Sequence, residues 1–382
     1  MGCARSLLKA ALAASAFLTV NLPAQAQDSV KIGITFDAAK QASFYSVQQK
    51  QALEMLAADV NASGGVLGRP LELKFLDDEN NPTIAAQRVE QLNNDQVAYI
   101  IEVGSSATGL LAQQKAQELG IPNGSPANQN ARLTRPNLPS FYFRTGLLDV
   151  TMSEAAAFYI SKHVPNARVA IVKDPTPQGL MLGDAAEGVL KNAGISVVAV
   201  EQVPTGAASA TPQALRVVGA GANAVLMVAA ALPEMVSYTK AHRQAGNKSP
   251  IFGFSATGVS EFITLAGGAA DGVIITDIID YDRPDVAALT KRLAERDPNL
   301  LRSPFGIVAY GYGQLVVDAI KRAGSTDRAK IREAMENTKD LPTLLGYEGT
   351  KITFSPGNHD GITRADQIVF RVVKEGKFVT LR

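Results

Sequence analysis

The 382-residue sequence predicts an α/β protein built on two parallel sheets, each covered by helices on both faces. Three observations carry this expectation. Short β-rich runs alternate with amphipathic helical stretches from Val30 onward, the alternation occurs in two successive sets, and many of the runs are apolar almost throughout, as strands buried on both faces are. At roughly 100–200 residues per domain the chain has room for two or three domains, each able to bury a real core.

In the first set, Val30–Phe36 reads as a strand and 44–61 as a helix with apolar spacing at Val47, Leu53, Leu56 and Val60, stopped by Ser63-Gly64-Gly65. Residues 71–76 form the next strand. Asn81 and Pro82 then supply an N-cap and a first-turn proline to a helix reaching about Asn94. The apolar strand 97–103 leads through Gly104-Ser105-Ser106 into a helix to Leu119, and the short run after Ile121-Pro122 and a strand at 141–144 close the set. In the second set, strand 168–172 precedes a helix at about 177–191, strand 195–201 precedes a helix over Thr211–Gly219, and strand 223–229 precedes a helix at 233–245, with further strands at 250–254 and 272–276. Residues 284–338 are mostly helical, 305–322 being the longest amphipathic piece. From Thr350 the chain returns to strands, with 366–373 and Lys377–Leu381 flanking the turn Glu375-Gly376. This late mixture predicts a chain that re-enters both lobes instead of adding a third domain.

Lys and Arg number 37 against 36 Asp and Glu, a net charge of +1, which leaves no footprint for nucleic acid or an anionic membrane. With 46% hydrophobic and 19% charged residues, disorder and coiled coil are excluded. Residues 1–26 read as a secretory signal peptide: Arg5 and Lys9, an apolar run from Ala10 to Leu22, and a small-x-small end at Ala24-Gln25-Ala26, with cleavage expected after Ala26. Cleavage leaves 35 basic and 36 acidic residues and no cysteine. Cys3 lies ahead of the apolar run, so no lipid anchor is expected, and the mature chain has no thiol for a disulfide, a nucleophile or a zinc site.

Catalytic fingerprints are missing: no GxxxxGK[ST], no complete GxGxxG after a strand, no HExxH and no GxSxG. No metal, cofactor or catalytic residue is expected. His163 and His242 fall near helix ends, where a solvated cation beside the last carbonyls is the simple reading. His359 falls in a turn-rich loop. Asp77-Asp78-Glu79 precedes a helix and reads as favourable charge at its N-terminus, and Asp277, Asp280 and Asp282 read as a solvated linker, facing a cleft being the alternative.

Gly104-Ser105-Ser106-Ala107-Thr108 is the most informative local feature. Ligands of open α/β sheets bind beyond the carboxyl ends of strands, and helix-start N–H groups attract carboxylate or phosphate. The hydroxyls of Ser105 and Ser106 either cap the helix or also hold an anionic ligand. Gly124 to Gln129 could line the same mouth, and Phe44 and Tyr45 either form an apolar wall or pack within their helix.

Lys31-Ile32-Gly33, the helix end from Asp59 to Gly68, Leu76-Asp77-Asp78 through Pro82, Gly104-Ser105-Ser106 through Gly120-Ile121-Pro122, Ser125-Pro126, Ala170 to Asp174, Pro233-Glu234-Met235, Gln244-Ala245-Gly246 and Ala309-Tyr310-Gly311 occur in an order and spacing that resembles the leucine/isoleucine/valine-binding family of periplasmic solute-binding proteins. The resemblance covers essentially the whole mature chain. It implies the type I periplasmic binding fold, two Rossmann-like lobes joined by three crossovers: an N-terminal lobe of 28–147 and 278–345, and a C-terminal lobe of 148–277 and 346–382. It also implies a monomer in the periplasm that closes on a small carboxylate and passes it to the permease subunits of an ABC transporter. Ser106 matches the family's carboxylate-binding serine, Ala127 a position offering its backbone, and Tyr45 the aromatic wall.

Departures from the family pattern narrow the ligand. Gln129 stands where a second hydroxyl is expected, Gln178 and Ala231 where two second-lobe tyrosines are, and Ser255 where an acid holds the ligand's α-ammonium. An ammonium buried without a charged partner is costly. The expected ligand is therefore a carboxylate lacking an α-amino group, an aromatic acid for which Ala231 leaves room; 354–361 resembles the Phe-Ser-Pro-x-x-His-x-Gly of branches that bind such acids. A branched-chain amino acid stays open if Glu234, Glu261 or a crossover aspartate replaces the acid. An extracytoplasmic sensor or an amide- or urea-binding protein could use the same lobes, whereas a secreted hydrolase lacks a base beside Ser105, Ser106 or Ser255.

Overall fold

The structure, a computed structural model, describes residues 28–38, 43–134, 140–146, 149–228, 231–254, 257–298 and 304–382. The expected signal peptide lies outside these residues.

The first sheet is parallel throughout. It contains β1 (Val30–Phe36), β2 (Leu71–Asp77), β3 (Tyr99–Glu102), β4 (Asn123–Ser125) and β5 (Tyr142–Arg144), in the order β2-β1-β3-β4-β5. Helices α1 (Ser43–Ala62), α2 (Pro82–Asn94) and α3 (Ser106–Glu118) make its crossovers. Their starts follow local chemistry. Asn81 Oδ1 accepts from the N–H of Thr83 (2.9 Å) and Ile84 (3.3 Å) ahead of Pro82, and Ser105 Oγ accepts from the N–H of Thr108 at 3.3 Å.

The chain then enters the second lobe through α4 (Asp149–His163), a helix that the sequence reading left unassigned. Here β6 (Arg168–Lys173), β7 (Ser196–Gln202), β8 (Ala224–Met227), β9 (Ile251–Gly253) and β10 (Ile274–Asp277) are parallel, connected by α5 (Pro177–Asn192), α6 (Thr211–Gly219), α7 (Leu232–Gln244) and α8 (Ser260–Ala266). After β10 the chain returns to the first lobe as α9 (Pro284–Arg296), α10 (Phe305–Ala323) and α11 (Arg328–Glu336), with α10 packed along α1. The short pair β11 (Leu341–Pro342) and β12 (Lys351–Ile352) follows. Finally β13 (Val369–Lys374) and β14 (Lys377–Leu381) join the second sheet antiparallel, giving β14-β13-β10-β9-β8-β6-β7.

Each sheet is covered on both faces, which explains the apolar strands. One apolar core runs from α1, α10 and the first sheet to α4, α5 and the second, while Val89, Ile100 and Ala112 build a separate layer under α2 and α3, and Val225, Tyr238 and Phe262 one under α6 to α8.

The tail departs from expectation. Between Ile352 and Val369 it forms no strand of either main sheet, and residues 354–361, expected in the second lobe, make their contacts at the edge of the first. Arg144 N–H donates to His359 O (3.0 Å) and Gly361 N–H to Arg144 O (2.8 Å), and the Arg144 guanidinium meets Asp360 at 2.6 Å with both side chains buried.

His359 lies in the turn-rich loop, as expected, but is buried there. Its ring stacks on Phe143 at 4.1 Å, with Nδ1 against Tyr142 O and Nε2 against Glu336, and burial lowers its proton affinity. His242 is likewise buried rather than solvated: burial first, then the charge of Arg243, pushes its pKa down to about 4. His163 is exposed and lies on the Tyr159 ring. Asp77 and Asp78 do not cap α2, which uses Asn81, and Asp78 is fully buried. Among the crossover aspartates only Asp282 faces solvent. Asp277 binds Arg371 at 2.5 Å, and Asp280 is buried against Thr380 and Arg382.

Candidate functional site

Strand order locates the site. In the first sheet the crossovers reverse direction between β1 and β3, and in the second between β6 and β8, so each sheet opens a crevice at the carboxyl ends of those strands. A cavity lies between loops that follow strand ends in both lobes. The first lobe contributes Ala127, Gln129 and Gly146, the second Gly258 and the end of β10, and α10 contributes Pro304, Phe305 and Val308.

Tyr45, on the first turn of α1, packs on Phe305 with ring centroids 4.6 Å apart and the planes tilted by 54°. Burial, and to a lesser extent the charge of Glu261 from α8, raises the pKa of its hydroxyl. Ser46 Oγ donates to Val103 O at 2.7 Å and ties α1 to the end of β3, so the aromatic wall and the α3 start are held side by side. Ser105 is occupied with capping: besides Thr108 N–H it reaches Asn80 Oδ1 at 2.8 Å. Ser106, the first residue of α3, is half-buried, and its hydroxyl makes no hydrogen bond to the described residues. Of the two serines, Ser106 has the capacity for a ligand.

The Ala127 N–H donates to Ser125 Oγ at 3.1 Å, so this residue offers the cavity its carbonyl and methyl rather than a spare donor. Gln129 lines the cavity with its amide 3.8 Å from Met152 Sδ, which also lines it. In the second lobe, Gln178 is the second residue of α5, its side chain lying outside the described residues, as do Ser255 and the Phe44 side chain. Ala231 directly precedes α7, and its N–H donates to Asp174 Oδ2 at 2.8 Å. The other oxygen of buried Asp174 accepts from Thr176 N–H and Oγ1, so one carboxylate pins both second-lobe loops at the switch point.

Several cavity residues carried no sequence signal of their own. Met152 and Ile278 fall in stretches that the sequence assigns to no element, and Phe305 and Val308 read as ordinary helix residues; Phe305 alone had a cue, its place behind Pro304 at the start of a helix. Asp277 also lines the cavity, but Arg371 neutralises it, and that guanidinium is itself sandwiched 4.5 Å from the Tyr281 ring and 4.2 Å from that of Phe378. No group of three acids or histidines able to hold a metal ion occurs among the described residues.

A model of the periplasmic binding protein family matches residues 29–377. The chain belongs to that family. Its members bind solutes without catalysing a reaction. The chain is 24% identical over 329 residues to the Leu/Ile/Val-binding protein homolog 3 of Brucella melitensis, covering 86% of this chain and 89% of that one. It is 25% identical over 348 residues to the leucine-, isoleucine-, valine-, threonine- and alanine-binding protein of Pseudomonas aeruginosa, covering 90% and 91%. Among solved structures, a type 1 periplasmic binding protein of Bordetella pertussis superposes with a TM-score of 0.77 at 23% identity, over 93% of this chain and 100% of that one. A leucine-binding protein of Thermotoga maritima gives 0.73 at 21%, over 92% and 98%. The two-lobed fold of this periplasmic binding protein is thus shared with them.

Proposed function

We propose that this periplasmic binding protein closes its lobes on a small organic carboxylate, an aromatic acid, and delivers it to the permease of an ABC importer. The expected leader at 1–26 would place it in the periplasm. The cavity wall carries this reading. Phe305, Met152, Ile278 and Val308 are apolar, Tyr45 backs Phe305 with a second ring, and the acid lining the wall, Asp277, is committed to Arg371. An aromatic ring fits such a wall, and its carboxylate would meet the Ser106 hydroxyl and the N–H groups of the α3 start. An α-ammonium in the same place would be buried beside an acid already neutralised.

A second reading, a branched-chain amino acid, is favoured by one observation. Glu261, on the first turn of α8, lies close enough to Tyr45 for its charge to act on the hydroxyl, so an ammonium between the lobes would feel a carboxylate there. The relatives named for leucine, isoleucine and valine point the same way.

A thermal-shift screen of the mature chain against aromatic acids, leucine, isoleucine, valine, dicarboxylates and amides separates the readings, since a ligand at about 100 Kd stabilises by ~2.7 kcal/mol. Stabilisation by leucine or valine and by no aromatic acid overturns the first reading. For the ligand so found, Ser106→Ala should weaken binding by ~1.5–3 kcal/mol. A pull-down with permease subunits distinguishes an importer component from a sensor.

A further inference from the structure

Asp78, just past the end of β2, and Glu102, the last residue of β3, lie beneath the loop and first turn that open α3. Their relative exposures are 0% and 1%. A Cβ built on Gly104 would stand 3.0 Å from Asp78 Oδ2, and one built on Gly109 would stand 2.9 Å from Glu102 Oε2, so both carboxyls press against the backbone of the helix start itself. Glycine at these two positions permits that approach. Asp78 Oδ1 accepts from Asn80 N–H at 2.9 Å, but Asp78 Oδ2 and both oxygens of Glu102 close no hydrogen bond.

Nothing nearby neutralises the pair. Asp37 at the end of β1 and Asp77 of β2 add like charge to Asp78, and Tyr99, Tyr142 of β5 and Tyr312 of α10 face Glu102 with neutral hydroxyls. Tyr142 eases the Glu102 charge without closing a standard hydrogen bond. The cation that acts on Asp78 is Arg88 of α2, whose guanidinium is bound to Asp77 O and Gln91. Arg144 acts on Tyr142 and is bound to Asp360. Burial first, then mutual repulsion, pushes the Glu102 carboxyl well above the carboxylate range, and burial above all raises Asp78 to about 6.

We propose that capture of an anion at the start of α3 is coupled to uptake of one proton by the Asp78–Glu102 pair buried beneath it. The proposal rests on the reading that the ligand is a carboxylate held at that helix start. An arriving anion adds a negative charge above two acids that form no ion pair among the described residues, and the least costly compensation is a proton on the acid still ionised.

The test uses the mature protein with benzoate and L-leucine as probes. Calorimetric titration in two buffers of different ionisation enthalpy counts the protons taken up, and affinity is followed from about pH 8 to about pH 6. Uptake approaching one proton is expected, with affinity rising by up to about tenfold per pH unit over that range. Asp78→Asn, isosteric, should remove the uptake and flatten the profile while binding persists, whereas Glu102→Gln, which mimics a carboxyl already protonated, should keep the uptake. Infrared difference spectra of the unliganded protein should show a buried protonated carboxyl that Glu102→Gln lacks. Binding without proton uptake, or uptake unchanged in Asp78→Asn, overturns the coupling and leaves the carboxylate reading standing. Absence of binding by both probes at every pH, with the carboxyl signal present, overturns the carboxylate reading, and the coupling falls with it.

Discussion

Buried charge decides what single residues do here. Asp277 lines the cavity yet is neutral in effect, because Arg371 meets it at 2.5 Å between two aromatic rings. Removing one partner of such a pair leaves an uncompensated buried charge. Arg371→Met should destabilise the protein by about 3–5 kcal/mol in urea denaturation, and should also weaken any carboxylate ligand by freeing the Asp277 charge at the cavity wall. His242 gives a pH-dependent counterpart. Its folded pKa is near 4, below the ordinary 6.5, so between those values the unfolded chain binds more protons. The stability it contributes is complete above pH 6.5 and is lost as pH falls toward 4. Denaturation curves at a series of pH values should be flatter across this window for His242→Gln than for the unmodified protein. None of these behaviours was legible beforehand. An aspartate in a linker and a histidine near a helix end have the same sequence context whether buried or exposed, and burial depends on what packs over them.

Helix starts and strand ends are the elements that carry the site, and they were legible to different depths. The Asn81-Pro82 and Ser105-Ser106 starts were read from cap chemistry that operates within four residues, and the structure has them as expected. Ser105→Ala should cost about 1 kcal/mol of stability, the ordinary value of an N-cap, in the same denaturation assay. The second lobe uses a longer-range device. Asp174 holds the start of α5 and the loop before α7 across 57 residues of sequence, a link that no local pattern announces. Asp174→Ala would strip the acceptor from the N–H groups of Thr176 and Ala231 and should cost about 2–3 kcal/mol. Amide exchange should show increased opening at these two loops before any change in the β-sheet core. The tail was misread for a related reason. Residues 354–361 fall in the stretch expected to return to strands and to belong to the second lobe, but the backbone of His359 and Gly361 pairs with Arg144, a partner more than 200 residues away.

At the scale of the molecule, each lobe is completed by chain from beyond the other. Helices α9 to α11 return to the first sheet after β10, and β13 and β14 close the second. The last strand also secures the crossover, through Tyr347 Oη on Leu381 O at 2.9 Å and Arg382 on Asp280 at 3.2 Å. Deleting residues 377–382 should therefore lower the melting temperature by several degrees and reduce ligand affinity along with it, because both an edge of the sheet and a hinge contact are lost. Such a truncation separates the tail's role from a purely local one if calorimetry shows both lobes melting earlier.

Composition, strand and helix periodicity and cap residues determined the α/β class, the order of most elements and the helix start at which an anion is expected, because each of these follows from interactions between near neighbours or from the simple need to bury apolar strands on two faces. The tertiary structure alone decided which acids are neutralised, which serine hydroxyl is committed to capping, and which side chains form the cavity wall. Those are matters of burial and of contacts between residues far apart in sequence, and they exist only once the two lobes have been brought face to face.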